Sequence, residues 1–450
     1  MRIFGTDGIR GQVGKYPLTA ENILKLAKAS SLVLKKKNSI SRVVINKDTR
    51  LSGYIYEPAL TAGFISMGIN VVLVGPLPTP ALTLLSKSLR ADFSVMITAS
   101  HNPFFDNGLK FFSNQGYKIS TEDENKIEDY FFNYNFDNFK IKHSSYGKAL
   151  RLKDAMGRYS EALKRSADRD LDYSKIKVTL DCANGAAYKV APEVLFEMGV
   201  DLHTIADKPS GTNINDRCGS LFPNKASQVV KKKKCNIGIC LDGDGDRVIL
   251  IDEKGDELKG EELIFIFANY YLKNKSLKKR SKIVTNEIAN FGLDIALNKL
   301  GLKLIRVKVG DKNILQEIQK NNHFFGGEPS GHFIFRDDLL IGDGMTTAIR
   351  IMSIMLKEGK KLSELKKGLD LLSVLDINQK IDRERFFQNE DKIYRNLNSL
   401  LSNKEIFFNI RPSGTESVLR VNLQYYKRNI KVNVLNKLKI NIIKIISDAC

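Results

Sequence analysis

Short apolar, β-branched runs alternate with stretches of helical periodicity through most of the chain. Residues 42–45, 70–74 and 92–97 read as strands, with helices over 54–66 and 80–89 between them. The rhythm returns with strands at 177–181, 200–205 and 237–242 and a helix over 186–198. A third round has strands at 282–285 and 302–307 and helices over 291–300 and 314–319. Such alternation argues for βαβ units and largely parallel sheets, with ligands bound outside the carboxyl ends of the strands.

The tail has a different pattern. Between Val418 and Tyr425, Leu419, Val421, Leu423 and Tyr425 share one face while Arg420, Asn422 and Gln424 share the other. That predicts a half-buried strand of an antiparallel sheet. A helix with apolar positions Val432, Leu435, Leu438, Ile442 and Ile446 closes the chain. The expected fold class is α/β: three similar mixed or parallel-sheet α/β domains and a smaller C-terminal α+β domain around a central cleft. The expected domains are 1–150, 151–254, 255–367 and 368–450.

Composition excludes several classes. At 42% hydrophobic and 27% charged residues, wholesale disorder is ruled out. No apolar run approaches the roughly 18 residues of a membrane-spanning helix, and the opening residues contain no apolar stretch that could serve as a secretory signal. Cys182, Cys218, Cys235, Cys240 and Cys450 are scattered, without a Cys-x-x-Cys pair or a His at metal-ligand spacing. A reducing cytoplasm is the expected location. The net charge is +20, yet the basic runs at 35–37, 231–234 and 278–280 are dispersed and lack interleaved aromatics. They read as solvated helix ends and loops, with no nucleic acid and no membrane as partner. A basic nucleic-acid-binding protein stays as the remote alternative.

The candidate chemistry lies in four segments. Leu241-Asp-Gly-Asp-Gly-Asp-Arg247 follows a predicted strand, and its three carboxylates at alternate positions fall on one side of an extended chain. The intervening glycines let the backbone curl, so that Asp242, Asp244 and Asp246 can converge on a hard cation, Mg²⁺ or Ca²⁺; a polar loop without metal is the other reading. An EF-hand is excluded because Arg247 stands where that loop needs Gly and residues 248–251 form a strand pattern.

Thr98-Ala-Ser-His-Asn-Pro103 ends another strand. On extended backbone adjacent side chains point apart, so His101 is poorly placed as a base for Ser100, and no Gly-x-Ser-x-Gly elbow is present. An exposed Ser in such a loop can instead accept a phosphoryl group; a plain proline turn is the alternative. Phe325-Gly-Gly-Glu-Pro-Ser-Gly-His332 presents Glu328, Ser330 and His332 together, and Glu328 can accept hydrogen bonds from a polyol. Arg411-Pro-Ser-Gly-Thr-Glu416 offers a guanidinium, two hydroxyls and a glycine, the parts of a phosphate cradle that Arg420 can join. A hairpin turn is the other reading. No Walker-A loop is present.

In this order, and with Phe4-Gly-Thr-Asp-Gly-Ile-Arg-Gly11 at the start, these blocks resemble the α-D-phosphohexomutase family over essentially the whole chain. The opening block and Gly327–His332 look most like the branch acting on glucosamine phosphates. The branch acting on mannose and glucose phosphates is the alternative. The resemblance implies a Ser100 that carries a phosphoryl group as phosphoserine, with Mg²⁺ held by that group and by Asp242, Asp244 and Asp246. It implies interconversion of glucosamine 6-phosphate and glucosamine 1-phosphate through a 1,6-bisphosphate, supplying amino-sugar nucleotide and cell-wall synthesis.

Lys110, assisted by Arg10, takes the proton of the attacking hydroxyl in this scheme, provided that burial and neighbouring charge lower its pKa. His101 supports the Ser100 loop. Arg247, Gly310, Asp311, Glu328, Ser330 and His332 bind the sugar, while Arg411, Ser413, Gly414, Thr415 and Arg420 grip the phosphate that stays. The oligomeric state is left open, a homodimer being one option. Three residues depart from the family pattern: Ser417 for a common Pro, Lys312 for a common Arg, and Pro329 in the sugar loop.

Overall fold

Every run predicted as a strand is a strand in the computed structural model, and those leading into the candidate site are buried on both faces. Phe93–Ile97 and Ile237–Leu241 have no exposed residue, and only the first residue of Arg42–Lys47 is exposed. Two-sided burial explains why these strands read as continuous apolar runs. The structure describes residues 2–5, 7–36, 41–337, 341–401, 406–412, 417–427 and 430–449. These form two compact units, Met1–Leu277 with Gly310–Lys367, and Lys278–Val309 with Gly368–Cys450.

The first unit contains two mixed sheets. One has six strands, ordered Ile9–Gln12, Asp106–Ser113, Phe93–Ile97, Arg42–Lys47, Asn70–Leu73 and Ala149–Arg151. Its last four strands run parallel, while Asp106–Ser113 is antiparallel to both of its neighbours. The second sheet has five strands, ordered Glu257–Leu258, Val248–Asp252, Ile237–Leu241, Lys177–Asp181 and Asp201–Ile205, the last three parallel. A hairpin, Phe325–Gly327 with Phe333–Phe335, packs its aromatic rings around Phe267 of the helix Gly260–Lys273.

The second unit pairs Lys282–Asn286 with Lys303–Val307 in parallel. It also holds an antiparallel sheet ordered Ser373–Lys380, Val418–Tyr425 and Ile406–Pro412. Helices Arg383–Leu401 and Val432–Ser447 cover this sheet through Phe386, Ile393, Leu397, Leu438, Ile442 and Ile446. Phe291 stacks on Phe407 at 4.7 Å, tying the two segments of this unit together.

Two expectations need correction. The helix predicted over 186–198 is only Val190–Glu197. Residues before it are held elsewhere: Ala186 N donates to Gly243 O at 2.8 Å, and a Cβ on Gly185 would lie 2.4 Å from that oxygen. Gln424, assigned to the polar face of its strand, is buried, and its Oε1 accepts from Phe291 N at 2.6 Å. Among the described residues, no helix is long and apolar enough to cross a membrane.

Candidate active site

The strand Phe93–Ile97 stops three residues short of Ser100, and the chain then turns. Ser100 has φ +51°, in the left-handed region that a non-glycine residue enters at a cost. This turn overrides the expectation from extended backbone, since Ser100 Oγ and His101 Nδ1 lie 3.3 Å apart. Nor is Ser100 exposed; it is 1% accessible. Its hydroxyl donates to Asp242 Oδ2 at 2.7 Å. Burial and the Arg247 and Arg10 guanidinium groups push His101 down to about 4, and Arg247 Nη1 lies 3.4 Å from its Nδ1.

Asp242 begins the loop of a hairpin in which Leu241 pairs with Val248. The carboxylates do not converge from an extended run. The loop is a tight turn, with Gly245 at φ +70° and its N–H donating to Asp242 O at 3.1 Å. One oxygen from each of Asp242, Asp244 and Asp246 lies within 4.8 Å of the others, and all three residues are buried. Burial, Asp246 and Asp244 push the Asp242 carboxyl well above the ordinary range. Asp244 Oδ2 accepts from Thr79 Oγ1 at 2.7 Å and from Lys110 Nζ at 2.9 Å, whereas Asp244 Oδ1 and Asp246 Oδ1 are buried without a hydrogen-bond partner among the described residues. Oxygen-only donors, two of them orphaned, with more negative charge than the cluster can sustain alone, fit a hard divalent cation such as Mg²⁺.

Lys110 lies on the buried strand Asp106–Ser113, 2.9 Å from Asp244, 3.3 Å from Asp7 and 3.4 Å from Asp246. Burial disfavours its charge, but Asp244, Asp7 and Asp246 outweigh burial and raise its pKa. This reverses the lowering that the base role required. In this arrangement Lys110 is a fixed cation. Arg10 pairs with Asp7 and reaches Ala99 O at 3.4 Å.

Asp7 also receives Lys118, whose Nζ donates to Asp311 Oδ1 at 2.7 Å. Burial opposes the Asp311 charge, but Lys118 holds the carboxyl down at about 2. His332 stands between Asp246 and Asp311, at 4.0 and 3.8 Å, with its Nε2 against Gly342, where a Cβ would lie 2.2 Å away.

Glu328 joins the hairpin turn to the loop that opens the helix Asp311–Asn321: its Oε1 accepts from Gly310 N at 3.2 Å and its Oε2 from Ser330 Oγ at 3.3 Å. Lys312 turns toward other partners, donating to Ile119 O at 3.1 Å and Thr121 Oγ1 at 3.4 Å.

Thus the first unit brings together Ser100, His101, Arg10, Lys110, Asp242, Asp244, Asp246 and Arg247, with Gly310, Asp311, Glu328, Ser330 and His332 alongside. Arg10 Nε and Arg247 Nε are buried and make no hydrogen bond among the described residues. Arg411 and Arg420 belong to the second unit, where they are directly opposed on neighbouring strands. Ser413, Gly414 and Thr415 lie outside the described residues. Sequence reasoning missed Thr79, Lys118 and Asp7 as members of the network. Asp7 had a signal, since it sits inside the opening block; the other two had no local pattern around them.

Comparison with known proteins follows the same geometry. Residues 1–138, 157–255 and 259–370 match the phosphoglucomutase/phosphomannomutase alpha/beta/alpha domains I, II and III, respectively. The phosphoglucosamine mutase of Geobacter metallireducens is 44% identical over 426 residues, covering 94% of either chain. That of Syntrophus aciditrophicus is 46% identical over 377 residues and 84% of either chain. A phosphoglucomutase/phosphomannomutase family protein from Burkholderia thailandensis superposes with a TM-score of 0.82 at 21% identity, covering 99% of this chain and 97% of its own. The phosphoglucomutase parafusin from Paramecium, in an open form, gives 0.76 at 15% identity, covering 99% and 95%. At those identities the structures speak to fold alone. Three family models spread over most of the chain, together with a relative 44% identical over 94% of it, show that the chain belongs to the phosphoglucomutase/phosphomannomutase, or α-D-phosphohexomutase, family.

Proposed function

We propose that the protein is a phosphosugar mutase that interconverts glucosamine 6-phosphate and glucosamine 1-phosphate, with Ser100 as the phosphoryl carrier. The observation that carries this reading is the Ser100 hydroxyl bonded at 2.7 Å to one of three clustered carboxylates. Its relatives named phosphoglucosamine mutase support the sugar.

Ser100, as phosphoserine, gives its phosphoryl group to the free hydroxyl of the sugar phosphate. The resulting 1,6-bisphosphate turns over, and Ser100 recovers the other phosphoryl group. Phosphoryl transfer of this kind is mainly a matter of position and charge. Asp242, Asp244 and Asp246 would hold Mg²⁺ with a phosphoryl oxygen, and the ion would supply Lewis-acid neutralisation of the transferring group. Arg10, Arg247 and Lys110 add fixed positive charge. Lys110 can accept a proton only to the extent that its carboxylate partners are neutralised otherwise.

His101, held neutral, supports the Ser100 turn. Gly310, Asp311, Glu328, Ser330 and His332 bind the sugar. Arg411, Ser413, Gly414, Thr415 and Arg420 hold the phosphate that does not transfer. Arg411 and Arg420 are register partners on neighbouring antiparallel strands, so both guanidinium groups rise from one face of the sheet, which supports that role. We further propose the four domains 1–150, 151–254, 255–367 and 368–450, and a cytoplasmic location for an enzyme of amino-sugar and peptidoglycan precursor synthesis. Cys182, Cys218, Cys235 and Cys240, all free and buried, support the location.

A coupled assay on glucosamine, mannose and glucose 6-phosphates tests the reading. Preference for the glucosamine substrate is expected; preference for mannose or glucose 6-phosphate would assign the chain to the other branch.

A further inference from the structure

Ser100 sits in a left-handed turn that its own sequence does not favour, so something else must hold it there. Its amide N–H donates to Thr98 Oγ1 at 2.9 Å, and Thr98 Oγ1 in turn donates to Asp48 Oδ2 at 2.6 Å. On the other side, the Ser100 carbonyl accepts from Asn215 Nδ2 at 2.9 Å and from Arg50 Nη2 at 3.3 Å. The same two side chains reach the carbonyl of Asn102, Asn215 at 2.9 Å. Both carbonyls flanking His101 are therefore held by one amide and one guanidinium. Two carbonyl oxygens can face only the nitrogen of the Asn215 amide, which fixes its orientation.

Asn215 also borders the carboxylate loop. A Cβ on Gly243 would lie 2.5 Å from Ser100 O and 2.8 Å from Asn215 Nδ2. The amide is wedged where the two loops meet, and it is anchored independently: Asn215 N donates to Ala183 O at 2.9 Å and the residue has φ +59°. It is buried, as is Arg50. Arg50 is neutralised by Asp48, and its Nε donates to Asp106 O at 2.8 Å.

We infer that Asn215, acting with Arg50, is a positioning residue that sets the register of the Ser100 loop against the Asp242–Asp246 loop. It touches no reacting atom. It fixes where Ser100 Oγ points by holding the carbonyls on both sides of the turn. The inference rests on the reading of Ser100 as the phosphoryl carrier.

The test compares Asn215→Gly with Asn213→Gly. Glycine accepts the left-handed backbone at 215, so the first variant removes the amide and leaves the turn possible. Asn213 lies in the same segment, and its side chain bonds Ser210 N at 2.8 Å and Lys208 O at 3.0 Å, away from the carbonyls that Asn215 holds. Misplacing the carrier by a fraction of an ångström should lower kcat about 10- to 100-fold in Asn215→Gly, with KM for the sugar phosphate within about twofold. Asn213→Gly should lower the unfolding temperature and leave kcat within about twofold. Should Asn215→Gly not fold, the isosteric Asn215→Asp, which cannot donate to both carbonyls, is expected to show the same split. Wild-type kcat in the folded Asn215 variant, or an equal loss in Asn213→Gly, would overturn the inference. Ser100→Ala separates the two levels: if it keeps full turnover the carrier reading fails, whereas an inactive Ser100→Ala beside a fully active Asn215 variant sinks the positioning role alone.

Discussion

Ser100 Oγ and Asp242 Oδ2 are joined by a 2.7 Å hydrogen bond although 142 positions separate them in the chain. One residue lies in the turn after a strand of the six-stranded sheet, the other in the turn after a strand of the five-stranded sheet. The proposed phosphoryl carrier and the carboxylate cluster thus come from separate chain segments and meet only in the folded protein.

Replacing Ser100 by Ala should abolish turnover, by at least about 10⁴-fold, as loss of a nucleophile generally does. The fold should persist, because the turn is held through backbone atoms. Circular dichroism and intact mass check this: native spectra are expected, together with loss of any phosphate carried by the wild-type chain.

Chelation should inactivate the enzyme, and added Mg²⁺ should restore it. Asp244→Asn, which removes one anionic ligand, should weaken Mg²⁺ by more than about 100-fold. A thermal-shift titration reads this without turnover, since a cation bound only to the folded state raises the unfolding temperature. No shift in the wild-type protein would dispose of the cation site.

Lys110 is the built-in counter-charge of Asp244 and Asp246. Lys110→Met should therefore cost about 3–5 kcal/mol in chelator, the usual penalty for stranding a buried charge. Mg²⁺ should shrink that cost, because it neutralises the same oxygens. Urea denaturation with and without Mg²⁺ provides the comparison, and equal costs would contradict the role.

The strands and carboxylate spacing were legible because their signals are local. Continuous apolar runs mark doubly buried strands, and alternating Asp and Gly mark a curled, oxygen-rich loop. Asp106–Ser113 was harder to see, since Asp106, Asn107, Lys110 and Ser113 make it look polar. It is buried because tertiary partners satisfy it: Asn107 donates to Ser52 Oγ at 2.7 Å, and Lys110 is paired. Thr79 and Lys118 escaped notice for the same reason, their roles being set by residues over 100 positions away. The Ser100 turn shows the converse error, where an extended backbone was assumed up to Pro103 and the chain had already turned.

Arg411 and Arg420 face each other across paired strands. If they grip a phosphate, Arg420→Ala should raise KM for the sugar phosphate about 10- to 100-fold, matching one charge-assisted bond of about 1.5–3 kcal/mol. Stability should hardly change, because Arg420 is exposed. Steady-state kinetics against the wild type checks this, and an unchanged KM would exclude the phosphate role.

Surface loops ordinarily vary in length among relatives, since they bear little packing. The loop between Leu241 and Val248 has no such freedom. The strand pairing fixes both of its ends, Asp242, Asp244 and Asp246 converge within it, Gly243 leaves no space for a side chain against Ser100 O, and Gly245 is left-handed and tight against Pro78. One inserted or deleted residue would rotate the following carboxylates out of the cluster. Its length is therefore as much a part of the chemistry as its composition.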